Sequence, residues 1–186
     1  MALERVTVFG SSCPSPEMPE YATAYRVGAC IARHGLELVN GGYSGTMEAS
    51  AKGARDCGGA VTGVTVQIFR YAQPNPYLTR QEDTPDLLQR LARLADLGDF
   101  YVVLPGSTGT LLELCLVWEF LNKGMSRKPI LAHSVWRPIA ATLPEDCPRG
   151  VTLDPAGADH YRWESKLVFA EDIPEVLDRL LSGFRG

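Results

Sequence analysis

Pro105-Gly106-Ser107-Thr108-Gly109-Thr110 places two glycines and three hydroxyls between an apolar run, Phe100 to Leu104, and a helical one, Leu111 to Asn122. Such a turn can surround an anion, because the first N–H groups of a helix lack intrahelical partners and glycine lets the backbone approach a ligand. A phosphate fits there. The G-K-[ST] ending of a Walker loop is missing, and Gly10, followed by SSCPSPE, does not open a G-x-G-x-x-G turn. Nicotinamide and flavin cofactors are therefore disfavoured. Glu113 follows Thr110 by three residues, in the first turn or so of the next helix. A carboxylate there gains about 0.3–1 kcal/mol from the positive helix end. Beside a phosphate turn it is also the group that glycosidic cleavage needs, to orient water and stabilise a ribosyl cation. Arg90, on the preceding helix, is its natural companion, able to reach a phosphate, a base or Glu113, although a solvated surface Arg is the commoner state.

The elements that position these residues alternate. Arg5 to Phe9 reads as a strand ending at Gly10, Ser11 and Ser12. Pro16 to Arg33 reads as a helix, with Tyr21, Ala24, Tyr25, Gly28, Ile31 and Ala32 at helical spacing and Gly35 closing it. Leu36 to Val39 is a second strand, Gly41, Gly42 and Gly45 a glycine turn, Thr46 to Asp56 a helix and Ala60 to Val66 a third strand. Gln67 to Thr84, with Pro74 and Pro76, has no usable period and reads as a surface loop or lid. Leu87, Leu88, Leu91, Leu94 and Leu97 mark an apolar helical stripe, with Gln89, Arg90 and Arg93 off its centre. Phe100 to Leu104 is the fourth strand, and Ile130 to Ala132 and Leu167 to Ala170 are two more, the last followed by a helix from Pro174 to Leu181. Trp136 to Glu164 has no clear pattern. Apolar strands alternating with helices predict the α/β class: a Rossmann-like, doubly wound parallel sheet with helices on both faces, in one domain spanning residues 1–186. Ligands in such sheets sit beyond the carboxyl ends of the strands, where strand order reverses. With the order 3-2-1-4-5, the turn at Gly10 to Ser12 faces the turn at Pro105 to Thr110.

LPGSTGTLLE (Leu104 to Glu113), with Arg90 upstream, resembles the P-G-G-x-G-T-x-x-E signature and preceding Arg of the Lonely Guy (LOG) family. FGSS at Phe9 to Ser12, GGYSGTMEA at Gly41 to Ala49 and GGAVTGVT at Gly58 to Thr65 are similar to further blocks of that family, in order. The resemblance implies a homodimer that hydrolyses the N-glycosidic bond of N6-substituted adenosine 5′-monophosphates to free base and ribose 5-phosphate, without metal or organic cofactor. On it, Gly106, Ser107, Thr108, Gly109 and Thr110 hold the 5′-phosphate, with Gly42 in the nucleotide site. Ser11 and Ser12 help close the pocket, Glu113 is the catalytic carboxylate, and Arg90 positions substrate. Some family members carry the name lysine decarboxylase, but none of Lys52, Lys123, Lys128 or Lys166 stands where an internal aldimine would need it. Three departures bear on activity: Leu91 stands where the family usually has Lys, Ser107 replaces the second Gly of P-G-G, and Glu48 in GTMEA resembles the branch of molybdenum-cofactor carriers. Binding of a nucleotide or molybdenum cofactor without turnover is the alternative.

Composition sets the remaining bounds. The 186 residues are 45% apolar, with 18 Lys and Arg against 22 Asp and Glu, a formal net charge of −4. No basic run supports nucleic-acid binding. No apolar stretch approaches the roughly 20 residues of a membrane span, and no signal segment opens the chain, so the expected location is the cytoplasm. Cys13, Cys30, Cys57, Cys115 and Cys147 are odd in number, without a C-x-x-C pair, and are expected as free thiols. His34, His133 and His160 form no H-x-x-x-H or H-x-E pattern and are set aside as metal ligands. Cys13 has no activating base nearby in sequence. Trp118 and Phe120 are expected in the core or a dimer interface, and Asn75 and Tyr77 over a bound base.

Overall fold

In the computed structural model, residues 3–69, 72–143 and 167–184 are described. Strand β1, Arg5–Phe9, is followed by helix α1, Pro19–Arg33; then come β2, Glu37–Asn40, α2, Thr46–Asp56, and β3, Val61–Val66. β4, Arg80–Thr84, leads to α3, Leu87–Leu97, then β5, Phe100–Val103, and α4, Thr108–Asn122. β6, Ile130–His133, a 3-10 turn at Ser134–Trp136, α5, Arg137–Thr142, β7, Leu167–Ala170, and α6, Ile173–Gly183, complete it. The strands form one sheet, ordered β4-β3-β2-β1-β5-β6-β7 and parallel at every pairing.

Alternation along each central strand divides the core in two. Val6 and Val8 of β1, with Phe100 and Val102 of β5, face α1, α2 and α6 in one cluster. Phe9, Tyr101 and Val103 point the other way, against Leu94 and Leu97 of α3 and Leu114, Val117 and Leu121 of α4. The period-2 alternation of strands thus gives both faces an apolar cover, as parallel sheets require. Trp118 and Phe120 are half-buried against the second cluster.

The expected order of five strands holds as β3-β2-β1-β5-β6, with β7 added beyond β6, and reversal occurs at β1 and β5. Several boundaries move. The segment expected as a loop ends in β4, which pairs with β3 from Thr62↔Arg80 to Val66↔Thr84. RQEDT carries no apolar signal because it is the sheet's outer strand, where charged side chains face water and discourage edge pairing. α1 starts at Pro19, not Pro16, with proline in the first helical turn, where its missing N–H costs nothing. α4 starts at Thr108, so the glycine turn and the helix N-terminus are one feature and Glu113 lies in the second turn. Its position therefore owes little to the helix dipole, which acts mainly on the first turn. Within Trp136 to Glu164, residues 137–142 are helical, and the buried Trp136 donates from Nε1 to the Leu104 carbonyl at 3.1 Å, which pins the chain just before the glycine turn at Pro105 to Thr110. Residues 144–166, including Cys147 and His160, lie outside the described residues.

Candidate active site

β1 and β5 are neighbours in register, Phe9↔Val103, and the Leu104 amide donates to the Phe9 carbonyl at 2.9 Å. The turns that follow them therefore leave the sheet side by side. A third turn, after β2, locks onto the first. The Ser11 carbonyl accepts from the Thr46 amide at 2.8 Å and from the Thr46 hydroxyl at 3.0 Å, and the Ser44 hydroxyl donates to the Ser12 carbonyl at 3.0 Å. This close approach requires Gly45, which has φ +70° and where a Cβ would stand 2.4 Å from the Ser11 carbonyl oxygen. The Ser11 hydroxyl is also engaged, accepting from the Cys13 amide at 3.1 Å, whereas the Ser12 side chain is exposed. Cys13 is exposed as well.

In the glycine turn after β5, Gly106, Ser107, Thr108 and Gly109 are exposed or partly so, while Thr110 is buried beneath Gly106. The Leu111 amide donates to the Ser107 carbonyl, so the helix ladder begins there. Among the described residues the amides of Thr108, Gly109 and Thr110 have no protein acceptor, and the Ser107 side chain makes no capping bond. Three unpaired donors, with the positive end of a 15-residue helix behind them, are the arrangement that suits an anion.

Arg90 and Glu113 meet inside the protein, on α3 and α4. Arg90 is only 6% exposed, rather than the solvated surface Arg that is the commoner state. Its Nε donates to the Val64 carbonyl at 2.8 Å and its Nη2 to the Gly41 carbonyl at 3.1 Å, and the guanidinium lies 5.7 Å from the Tyr43 ring centroid. The remaining nitrogen, Nη1, is 3.8 Å from Oε1 of Glu113. Gly41 is obligatory for this clamp, since a Cβ there would come within 1.9 Å of Nη2. Burial pulls the Arg90 guanidinium below its ordinary range, with Glu113 and Tyr43 opposing. Glu113, 9% exposed, is pushed up to about 7 by burial, against the pull of Arg90. An acidic group that exchanges its proton near neutrality beside a fixed cation is suited to general acid–base work and to facing a developing positive charge.

The other expected site residues divide. Both backbone polar groups of Gly42 are in use: its amide donates to Asn40 Oδ1 at 2.9 Å and its carbonyl accepts from the Asn75 amide at 2.8 Å. Asn75 also donates from Nδ2 to the Tyr43 carbonyl at 3.0 Å, so it is a buried anchor of the loop rather than a cover. Tyr77 and Glu48 instead line a cavity of about 510 Å³ with Tyr21, Tyr25 and Lys52, between α1 and α2; Arg90 and Glu113 are not part of its lining. Tyr43 escaped the sequence reading, although it sits in the glycine block GGYSGT. Its hydroxyl is held by Val66, accepting from the amide at 2.8 Å and donating to the carbonyl at 3.2 Å, and its ring supports Arg90. The signal was a single aromatic inside a turn otherwise made of small residues.

The model of the SLOG cluster4 family, LDcluster4, matches residues 4–132. The cytokinin riboside 5′-monophosphate phosphoribohydrolase of Rhodococcoides fascians is 33% identical over 144 residues, 74% of this chain and 73% of that protein. The protein of the same name from Mycobacterium tuberculosis is 34% identical over 134 residues, 70% of this chain and 71% of its own. In fold, the chain is similar to the molybdenum cofactor binding protein of Rippkaea orientalis, with a TM-score of 0.73 at 19% identity over 100% of this chain and 99% of that one. The molybdenum cofactor carrier protein of Chlamydomonas reinhardtii gives 0.68 at 19% identity, over 97% and 99% of the two chains. The match over residues 4–132, which holds all three turns together with Arg90 and Glu113, makes this chain a member of the SLOG cluster4 family, of LOG type.

Proposed function

We propose that the chain is a nucleoside 5′-monophosphate phosphoribohydrolase that cleaves the N-glycosidic bond of adenosine-type 5′-monophosphates, N6-substituted ones among them. The observation that carries this reading is the pairing of the open amides of Thr108, Gly109 and Thr110 with a buried carboxylate, Glu113, one turn further along the same helix. The amides and the hydroxyls of Ser107 and Thr108 take the 5′-phosphate, and the rigid helix fixes the distance from phosphate to carboxylate. That is positioning by structure rather than by encounter, the source of much of an enzyme's advantage.

In the reaction, the bond between C1′ and the base nitrogen breaks with its electron pair going to the base, and positive charge develops on the ribosyl ring. The ionised Glu113 carboxylate faces that charge and accepts a proton from the attacking water as its hydroxyl joins C1′. The same proton then passes to the departing base, which leaves neutral and returns Glu113 to its starting state. Arg90 favours the ionised form of the carboxylate against the opposing effect of burial, and holds it in place. No metal or organic cofactor takes part in these steps.

The second reading, binding of a nucleotide or of a molybdenum cofactor without turnover, draws on Glu48 and on the buried, apolar Leu91 beside Arg90. The Arg90–Glu113 pair supports hydrolysis, because it sets a buried carboxylate beside a fixed guanidinium, the arrangement general acid–base work needs. Incubation with AMP and with N6-isopentenyl-AMP, followed by chromatography, separates the two: free base and ribose 5-phosphate are expected. Folded protein that yields neither while its melting temperature rises with added nucleotide would establish the binding role instead.

A further inference from the structure

Away from the phosphate turn, at the other end of the strands, three donor atoms of different chemistry converge where α1 meets α6. Cys30 lies in the last turn of α1 and His34 caps it, one helical turn apart, and Asp178 reaches them from α6. His34 Nε2 is 2.9 Å from Asp178 Oδ1, and Cys30 Sγ is 3.7 Å from the same oxygen. The three donor atoms all lie within 4.8 Å of one another. We propose that Cys30, His34 and Asp178 bind a divalent transition metal ion, zinc by preference, through Sγ, Nε2 and one carboxylate oxygen, with solvent as the fourth ligand.

Tetrahedral zinc with bonds of about 2.3 Å to sulfur and about 2.0–2.2 Å to nitrogen and oxygen separates its ligand atoms by roughly 3.3–3.6 Å. The Sγ to Oδ1 distance is already close to that range. The Nε2 to Oδ1 distance has to open by about 0.4 Å to reach it. The Asp178 side chain, 59% exposed, has room to make that adjustment, and the Sγ to Nε2 separation, within 4.8 Å, closes toward the same range as the ion draws the ligands in, with Cys30, 1% exposed, held in the core. Thiolate, imidazole and carboxylate together suit zinc rather than calcium or magnesium, and the two anionic ligands neutralise the dication. Binding transfers the Cys30 proton to solvent and replaces the S–H with a metal–sulfur bond. Burial otherwise keeps that group a thiol, by pushing it up to about 12, with Arg33 nearby pulling the other way. The ion would clip the C-terminal helix to the first one across 148 residues of chain, and so act on stability and not on the nucleotide site.

The test uses the full-length chain, reduced and stripped with a chelator, titrated with Co²⁺ alone as the optical probe. Expected are a sulfur-to-cobalt charge-transfer band in the near ultraviolet and the visible bands of tetrahedral cobalt, saturating at a single equivalent and bleached by Zn²⁺. A variant with Cys13, Cys57, Cys115 and Cys147 all replaced by Ser keeps the band; Cys30→Ser loses it. Asp178→Asn, at an exposed position that leaves folding intact, weakens Co²⁺ binding by about tenfold or more. Saturating Zn²⁺ raises the melting temperature of the native chain and not that of Cys30→Ser. Folded protein with no charge-transfer band, or a band that survives Cys30→Ser, overturns the proposal, and neither result depends on whether the chain cleaves nucleotides.

Discussion

Replacing Glu113 by Gln keeps the side chain's shape inside its buried site and removes the charge that faces Arg90 at 3.8 Å. If the carboxylate takes the water proton and faces the ribosyl cation, turnover falls by about 10²–10⁴, the usual share of a positioned acid–base group. That is a barrier increase of about 3–5 kcal/mol. KM for AMP should change little, since on the proposed reading the amides of residues 108–110 hold the phosphate. The proposed mechanism also predicts a pH signature for the native chain. Activity requires the ionised form, so kcat climbs with pH through about 7 and then levels, whereas the Glu113→Gln variant is slow and flat across that range. Stability moves in the opposite sense. The folded-state value of about 7 lies above the ordinary 4.5, so the group's contribution is fully present below 4.5 and is lost as pH rises through 7. The native chain thus loses about 2–3 kcal/mol relative to Glu113→Gln between pH 5 and pH 8. Base release followed by chromatography gives the kinetic arm, and urea melts at the two pH values give the other. Turnover by Glu113→Gln within about threefold of the native rate, or a stability difference that shifts in the native chain's favour with rising pH, refutes this reasoning.

Further outcomes follow from the same geometry. Arg90→Lys keeps a charge but cannot reach Val64 and Gly41 together; we expect a loss of about 2–4 kcal/mol and a melting point lower by roughly 5–15 °C, read by calorimetry. Gly106→Ala puts a Cβ 2.1 Å from the Thr110 hydroxyl oxygen, an overpacking worth about 1–3 kcal/mol in denaturant melts. Gly109→Ala meets nothing within 4 Å, so stability holds while the methyl group obstructs the phosphate and raises KM for AMP by about tenfold, in initial-rate assays. Gly28→Ala would drive a Cβ to 1.9 Å from the Ser50 carbonyl, where α1 and α2 touch backbone to backbone, and soluble expression should fail or the melting point fall sharply.

Six apolar strands, and the order of five of them, were legible because a parallel sheet buried on both faces leaves uninterrupted apolar runs such as FYVVL. β4 was not, because an edge strand with RQEDT has only charge to display. The glycine turn and Glu113 were readable as a motif, but its physical setting was not: Arg90 lies beside the leucine stripe in sequence and becomes buried only when the Val64 and Gly41 carbonyls come to meet it from β3 and the turn after β2. Asn75 looked like a lid residue because the proline-rich loop hides its role as an anchor on Gly42 and Tyr43. Cys30 was expected as a free thiol and His34 was set aside because neither belongs to a C-x-x-C, H-x-x-x-H or H-x-E pattern, and the carboxylate that meets them stands 144 residues beyond His34.

The central claim is that the amides after Ser107 grip a phosphate and thereby hold a sugar against Glu113. A crystal structure of Glu113→Gln soaked with AMP measures it directly. The phosphate is expected about 3 Å from the amides of Thr108, Gly109 and Thr110, with C1′ turned toward residue 113 at about 4 Å. A phosphate seated elsewhere, for example in the cavity lined by Tyr21, Lys52 and Tyr77, or a ribose facing away from residue 113, contradicts it.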